Sequence, residues 1–219
     1  MALTPPRVKI CCIASVAEGR MAVRHGAAAV GLVSAMPSGP GVIGDELIAE
    51  IAATVPPGVA AFLLTSRQSA AGIVEQQRRL RVGTIQMCDH LADGTREQLR
   101  AALPGVALVQ VVHVTGEESV AEAVAVAPHV DAILLDSGNR RAPVKQLGGT
   151  GRRHDWRVSR RIRDAVSVPV WLAGGLDAGN VAEAIATVEP FGVDVCSGVR
   201  TDGRLDEGKL AAFFRAVRP

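Results

Sequence analysis

The chain has 219 residues, 48% hydrophobic and 21% charged, with 24 Lys and Arg against 22 Asp and Glu for a formal net charge of +2. So long and apolar a chain buries a full core, which excludes disorder, and so small a charge excess excludes a dedicated nucleic-acid binder. Aromatic residues are 3% of the total with no Tyr, which leaves few platforms for stacking bases.

Short β-branched runs alternate with stretches of helical spacing. Val8–Ile13 reads as the first strand, and Ser15 with Glu18 forms a capping box for a helix from about 16 to 25, closed by Gly26. Ala29–Val33 is the second strand, followed by a Gly/Pro-rich loop, Ser34–Gly44, and a helix capped by Asp45 that runs to Thr54. Val59–Leu64 and Thr84–Cys88 are the third and fourth strands, with helices over Ser66–Leu80 and Thr95–Leu103. The fifth strand lies within Val106–Val114, its helix spans Glu117–Ala127, and Ala132–Asp136 is the sixth strand. A long polar loop, Ser137–His154, precedes a helix from Asp155 to Ala165. Val168–Ala173 and Gly192–Cys196 are the last two strands, each with its helix, Asn180–Val188 and Asp206–Val217.

Runs such as Ile133-Leu134-Leu135 lack polar alternation, as parallel strands buried on both faces do. Eight strand–helix units imply an α/β fold of the TIM (β/α)8 barrel type, one domain over 1–219, with a doubly wound open sheet as the rival. The four cysteines, at 11, 12, 88 and 196, make neither a disulfide framework nor a C-x-x-C pair. With no leader-like N-terminus and no run of 18 apolar residues, the expectation is a cytoplasmic enzyme without a membrane partner.

A barrel of this kind works at the C-terminal ends of its strands. Gly174-Gly175 and Ser197-Gly198 follow the seventh and eighth strands, and Gly148-Gly149-Thr150-Gly151 lies in the loop after the sixth. Glycines there serve tight turns or let backbone N–H groups cradle a phosphate; three groups at one rim favour the phosphate. Alternation puts Lys9 and Cys11 on one face of the first strand. If Lys9 points inward, Cys11 is either a buried small residue or a thiolate base beside a cation. Asp136 ends an apolar strand, as a helix cap or as a general acid whose surroundings raise its pKa. His113 reads as a rim residue or an interior hydrogen-bonded one, and His154 as a cap-region residue. The basic cluster Arg140, Arg141, Lys145, Arg152, Arg153, Arg157, Arg160, Arg161 and Arg163 reads as solvated faces, with Arg152 or Arg153 able to overhang the rim and draw in an anion. No spacing of His, Asp and Glu suggests a metal site.

Lys9-Ile10-Cys11, Leu135-Asp136-Ser137, Gly148-Gly149-Thr150-Gly151 with His154-Asp155-Trp156, Leu172-Ala173-Gly174-Gly175-Leu176 and Ser197-Gly198-Val199 resemble, in order, the motifs of the phosphoribosylanthranilate isomerase family of tryptophan biosynthesis. The likeness spans nearly the whole chain and is most specific from Leu134 to Val199. It implies a TIM barrel, a cofactor-independent Amadori rearrangement, Cys11 as general base and Asp136 as general acid. It further implies a phosphorylated substrate whose phosphate sits on Gly174, Gly175, Ser197 and Gly198 with Gly149; monomer and homodimer both stay open.

Four positions depart from the family pattern. Cys12 stands where the family has glycine, and Gly41 where an arginine meets the anthranilate carboxylate. Gln86-Met87-Cys88-Asp89 replaces Q-L-H-G, and Arg200 follows Ser197-Gly198-Val199 in place of glutamate. The expectation is therefore that Arg152 or Arg153 takes over the carboxylate. The alternatives are a relative that isomerises another phosphorylated sugar or aminosugar, or a non-catalytic barrel that binds a phosphometabolite.

Overall fold

The computed structural model describes residues 5–140, 142–149 and 151–218. Residues 1–4, Arg141 of the basic cluster, Thr150 of the glycine-rich loop and Pro219 lie outside them. Eight parallel strands close into a barrel: β1 (Arg7–Ile10), β2 (Ala29–Val33), β3 (Ala60–Thr65), β4 (Thr84–Met87), β5 (Ala107–His113), β6 (Ala132–Asp136), β7 (Val170–Leu172) and β8 (Gly192–Val195). Each strand pairs with the next, and β8 returns to β1 with Lys9 opposite Asp194. The helices α1 (Val16–Arg24), α2 (Asp45–Thr54), α3 (Ala70–Leu80), α4 (Arg96–Ala102), α5 (Glu118–Val126), α6 (Trp156–Ala165), α7 (Val181–Val188) and α8 (Glu207–Val217) alternate with the strands. None of them is long and apolar enough to cross a membrane among the described residues. The open-sheet rival is set aside by the closure.

Several boundaries differ from the sequence reading. The first strand stops at Ile10 because Cys12 takes a left-handed conformation, φ 61°, and turns the chain; the Cys11 N–H still donates to Val195 O at 2.8 Å as the last rung. Gly44, not Asp45, is the N-cap of α2, and Asp45 sits in its acidic first turn. Helix α3 begins at Ala70 rather than Ser66, because the preceding segment is pinned elsewhere: Arg67 N–H donates to Thr65 Oγ1, and Ala70 N–H to Asp93 O. Strand β7 is shorter than Val168–Ala173, since Pro169 has no N–H to give a ladder. Ser15 does cap α1, but Glu18 accepts from Ala14 N–H rather than completing the box. A two-rung hairpin, β9 (Arg200–Thr201) with β10 (Arg204–Leu205), precedes α8 and is too short for periodicity to reveal.

Alternation along each strand sorts the core into two layers. Val8, Ile10, Val30, Leu32, Leu63, Ile85, Ile133 and Leu135 face the helices. Cys11, Ala29, Val33, Phe62, Leu64, Val109, Val111, Ala132, Leu134 and Trp171 fill the lumen. Lys9 belongs to this inner set. It is 0% exposed, and its Nζ donates to Asp194 Oδ2 at 2.9 Å while lying 5.3 Å from the Phe62 ring centre. Two charges out of water are stable only as a pair. A glycine at position 31 leaves room for them: a Cβ there would lie 3.1 Å from Lys9 Nζ and 3.0 Å from Cys11 Sγ.

Lys9→Met leaves the Asp194 carboxylate buried without its cation and should cost about 3–5 kcal/mol in urea unfolding. Adding Asp194→Leu should restore part of that loss; a double variant as unstable as the sum of the singles contradicts a coupled pair.

Candidate active site

The C-terminal mouth of the barrel holds a cavity of about 70 Å³, partly open to solvent. Cys11 and Asp136 both line it, together with Cys12, Cys88, Asp194, Cys196, Gly149, Gly174, Gly175 and Ser197. Met36, Pro40, Leu64, Leu147 and Leu176 supply apolar walls.

Cys11 ends β1 one turn of the pleat above Lys9, so the inward alternation that buries the ammonium also aims the thiol into the cavity. Burial alone would drive the Lys9 ammonium to lose its proton; Asp194 and then Cys11, when negative, hold it on and raise its pKa. Burial pushes the Asp194 carboxyl up while Lys9 pulls it back. The pair is ionised, the ammonium and the carboxylate in direct contact at 2.9 Å each offsetting the other's buried charge. The second oxygen of Asp194, Oδ1, is buried, has no partner among the described residues, and belongs to the cavity wall.

Asp136 ends β6. Burial pushes its carboxyl up to about 6, against the pull of the Ser137 N–H, which donates to Oδ1 at 2.7 Å. The loop from β6 to α6 passes directly over it: a Cβ on Gly148 would sit 2.8 Å from Asp136 Oδ2. Cys88 is fully buried, and desolvation raises its thiol above the usual range, so it acts as an inert apolar wall.

The glycine groups meet as the sequence suggests, with one exception. Gly174 and Gly175 have φ of 87° and 65°, and their N–H groups find no acceptor among the described residues. A Cβ on Gly175 would fall 2.9 Å from Arg152 O and 3.0 Å from Gly151 O, and one on Gly151 3.7 Å from Ser197 Oγ. Ser197 opens a single 3-10 turn, Ser197–Val199, whose first N–H groups have no helical acceptor. Gly198 does not line the cavity; it lets this turn pack on Leu176 and Asp177. Gly149 lines the cavity from the opposite loop, against Pro40.

Neither Arg152 nor Arg153 is in the cavity wall. Arg152 is exposed and places its backbone behind Gly174 and Gly175, while the Arg153 guanidinium lies 5.7 Å from the Trp156 ring centre. Most of the remaining basic cluster is paired on the surface: Arg140 with Glu122, Lys145 with Asp89, and Arg163 with Glu189. His113 is the interior alternative, with Nε2 3.2 Å from Cys88 O and burial lowering it to about 4. His154 lies in the cap region, directly before the N-cap Asp155 of α6; it is half-buried, with Nε2 2.7 Å from Ser159 Oγ, and desolvation lowers it to about 4.

Two departures from the family pattern turn out to be one feature. Gly41, φ 79°, is pressed against Cys12, and a Cβ there would lie 2.9 Å from Cys12 Cα. A side chain at 12 therefore requires none at 41. Arg200 is also explained: its guanidinium is buried, pairs with Glu18, and donates to the carbonyl oxygens of Cys11 and Cys12. Sequence reasoning missed Asp194 and marked Arg200 only as a departure, without its role. The signal for Asp194 was a lone charge inside the apolar run Gly192–Val195.

The profile of the family described as N-(5'phosphoribosyl)anthranilate (PRA) isomerase matches residues 8–216. The N-(5'-phosphoribosyl)anthranilate isomerase of Halorubrum lacusprofundi is 38% identical over 209 residues, 94% of either chain. That of Methanocella arvoryzae is 33% identical over 208 residues, 95% of either chain. A crystal structure of phosphoribosyl anthranilate isomerase in complex with reduced 1-(o-carboxyphenylamino)-1-deoxyribulose 5-phosphate superposes with a TM-score of 0.79 at 26% identity, covering 97% of this chain and 98% of that one.

The Asp136 carboxyl titrates near 6 when folded, whereas an unfolded aspartate titrates near ~3.9. Its ionisation therefore weakens folding as pH rises from the unfolded value through the folded one. Asp136→Asn escapes that loss, so between about pH 3.5 and about pH 8 urea unfolding should shift by about 3 kcal/mol in its favour. A difference independent of pH contradicts a buried acid. Gly41→Arg should cost about 1–3 kcal/mol from its left-handed backbone, plus the clash with Cys12. Cys12→Gly in the same chain should relieve the clash, and strictly additive losses in thermal unfolding contradict the contact.

Proposed function

The chain belongs to the N-(5'-phosphoribosyl)anthranilate isomerase family, and from that premise we propose that Cys11 and Asp136 perform the family's reaction as general base and general acid. The enzyme is an isomerase of tryptophan biosynthesis that carries N-(5'-phosphoribosyl)anthranilate to 1-(2-carboxyphenylamino)-1-deoxyribulose 5-phosphate. This identity sets aside both a related isomerase of another phosphosugar and a non-catalytic binding barrel. The observation that carries the residue assignment is that a thiol and a protonatable carboxyl share one cavity at the strand ends.

Asp136 gives its proton to the ribose ring oxygen. The C1–O bond breaks, and the anilino nitrogen lone pair forms the iminium. Cys11, as thiolate, takes the proton from C2, and that electron pair becomes the C1–C2 double bond of the enolamine. The enol hydroxyl returns a proton to Asp136, and Cys11 returns one to C1, which leaves the 2-ketone and both groups reset. Only protons move, so the reaction calls for no cofactor. A carboxyl near 6 is matched to giving and regaining a proton close to neutral pH. The Lys9 ammonium lies close to the Cys11 sulfur on the same face of the first strand: a Cβ at Gly31 would be 3.1 Å from Lys9 Nζ and 3.0 Å from Cys11 Sγ.

The 5-phosphate rests on the free N–H groups of Gly174 and Gly175 and on the turn opened by Ser197, with Gly149 closing from the other side and Gly198 shaping the turn. Anchoring it there fixes C1 and C2 between acid and base. Asp194 Oδ1 offers an acceptor to a substrate N–H or hydroxyl. Among the described residues the cavity wall carries no arginine, so Arg152 and Arg153, exposed at the rim, steer the anionic substrate inward rather than grip its carboxylate.

Loss of phosphoribosylanthranilate fluorescence gives the rate. Cys11→Ala and Asp136→Asn should each lower kcat by about 10²–10⁴-fold with the fold intact by circular dichroism. Near-parental turnover in either folded variant contradicts its role.

A further inference from the structure

The mouth contains a sulfur pair that the reaction does not use. Cys196, directly after β8, lies with its Sγ 2.7 Å from Cys12 Sγ. Both residues line the cavity and neither is bonded to another cysteine. A disulfide bond is about 2.05 Å long, with its two Cβ atoms about 3.5–4.5 Å apart. The two sulfurs thus need only a small approach to bond. Their positions are fixed from several sides. Cys11 N–H bonds Val195 O across the β1–β8 seam, Arg200 grips the carbonyl of Cys12, and Gly41 backs its side chain.

We propose that Cys12 and Cys196 form a reversible modification site, a thiol pair that closes to a disulfide by exchange with a low-molecular-weight disulfide and thereby slows turnover at Cys11. The two thiols are unequal in a way that suits exchange. Cys196 is part-exposed and is held below the usual thiol range by the Cys12 S–H and by Arg200. Hydrogen bonds to Cys11 and Cys196 hold Cys12 well above that range. Cys196 is therefore the attacking thiolate and Cys12 the resolving thiol.

In the first step the Cys196 thiolate attacks one sulfur of the reagent, forming a mixed disulfide and expelling one thiolate. In the second, Cys12 loses its proton and attacks Cys196 Sγ, expelling the second thiolate. The two protein thiols are oxidised, the reagent disulfide is reduced to two thiols, and the protons of Cys12 and Cys196 end on them. Cys11 is not consumed. What changes is its surroundings: Cys12 is the next residue in the chain and lines the same cavity, so drawing Cys12 Sγ onto Cys196 Sγ shifts the wall and the strand end that aim the Cys11 thiol.

The full chain, incubated with 2-hydroxyethyl disulfide and then alkylated, should lose two hydrogens in mass, and peptide mapping should place the bond between Cys12 and Cys196. Turnover should fall by about tenfold or more, since displacing a catalytic group by about 1 Å can cost about 10²-fold, and dithiothreitol should restore it. In Cys12→Gly the adduct on Cys196 cannot resolve and should persist as a mixed disulfide. A stable mixed disulfide in the parent chain, a bond to Cys11 or Cys88, no reaction, or a closed bond with unchanged turnover would each overturn the proposal. Should Cys12→Gly fail to fold, the parent map decides alone.

Discussion

The constraint from which the site follows is a lysine ammonium sealed inside a closed sheet. Lys9 is wholly buried and Asp194, one strand over and in register, is its anion. Such a pair stabilises little by itself, since desolvation offsets the attraction, but it fixes direction. Once Lys9 faces the lumen, strict alternation sends Cys11 to the same side two residues on, and the barrel's closure sets it facing the same space as Asp136. The positive charge then lies below the sulfur, while the apolar wall around Asp136 disfavours its ionised form. One cylinder thereby sets a thiol close to a buried cation and faces it with a carboxyl that burial keeps protonated well above the usual carboxylate range.

Packing at the rim is what makes the rest precise enough to matter. The loop from β6 to α6 lies over the mouth, with Gly148 above Asp136, Gly149 on Pro40, and the Lys145 carbonyl accepting from Ser38 Oγ at 2.6 Å. Gly174 and Gly175 accept the backbone of Arg152 and Gly151 at distances a side chain would forbid. The proposed phosphate cradle is therefore a product of two loops that interlock, each glycine allowing the other's approach. Arg200 ties this rim to the catalytic strand by holding both carbonyls at its end.

The parts legible in the sequence were those that depend on period and on order along the chain. Unbroken apolar runs such as Ile133-Leu134-Leu135 gave parallel strands, and the place of Asp136 at the end of one gave an acid at a rim. What stayed hidden depends on contacts between distant residues. Asp194 gains its meaning only from the register of β8 on β1. Gly41 read as a missing arginine, yet its absent side chain is the space that Cys12 occupies. Arg152 and Arg153 drew notice by charge, but their positions behind the glycine turn and over Trp156 follow from a loop path that no periodicity encodes. The hairpin at Arg200–Leu205 is too short to carry a pattern at all.

The most direct measurement is a crystal structure of this chain soaked with reduced 1-(o-carboxyphenylamino)-1-deoxyribulose 5-phosphate. The account places the phosphate on the N–H groups of Gly174, Gly175 and Ser197, with C1 and C2 lying between Cys11 Sγ and the Asp136 carboxyl. A sugar chain bound with neither the sulfur nor the carboxyl in contact with those carbons would contradict it.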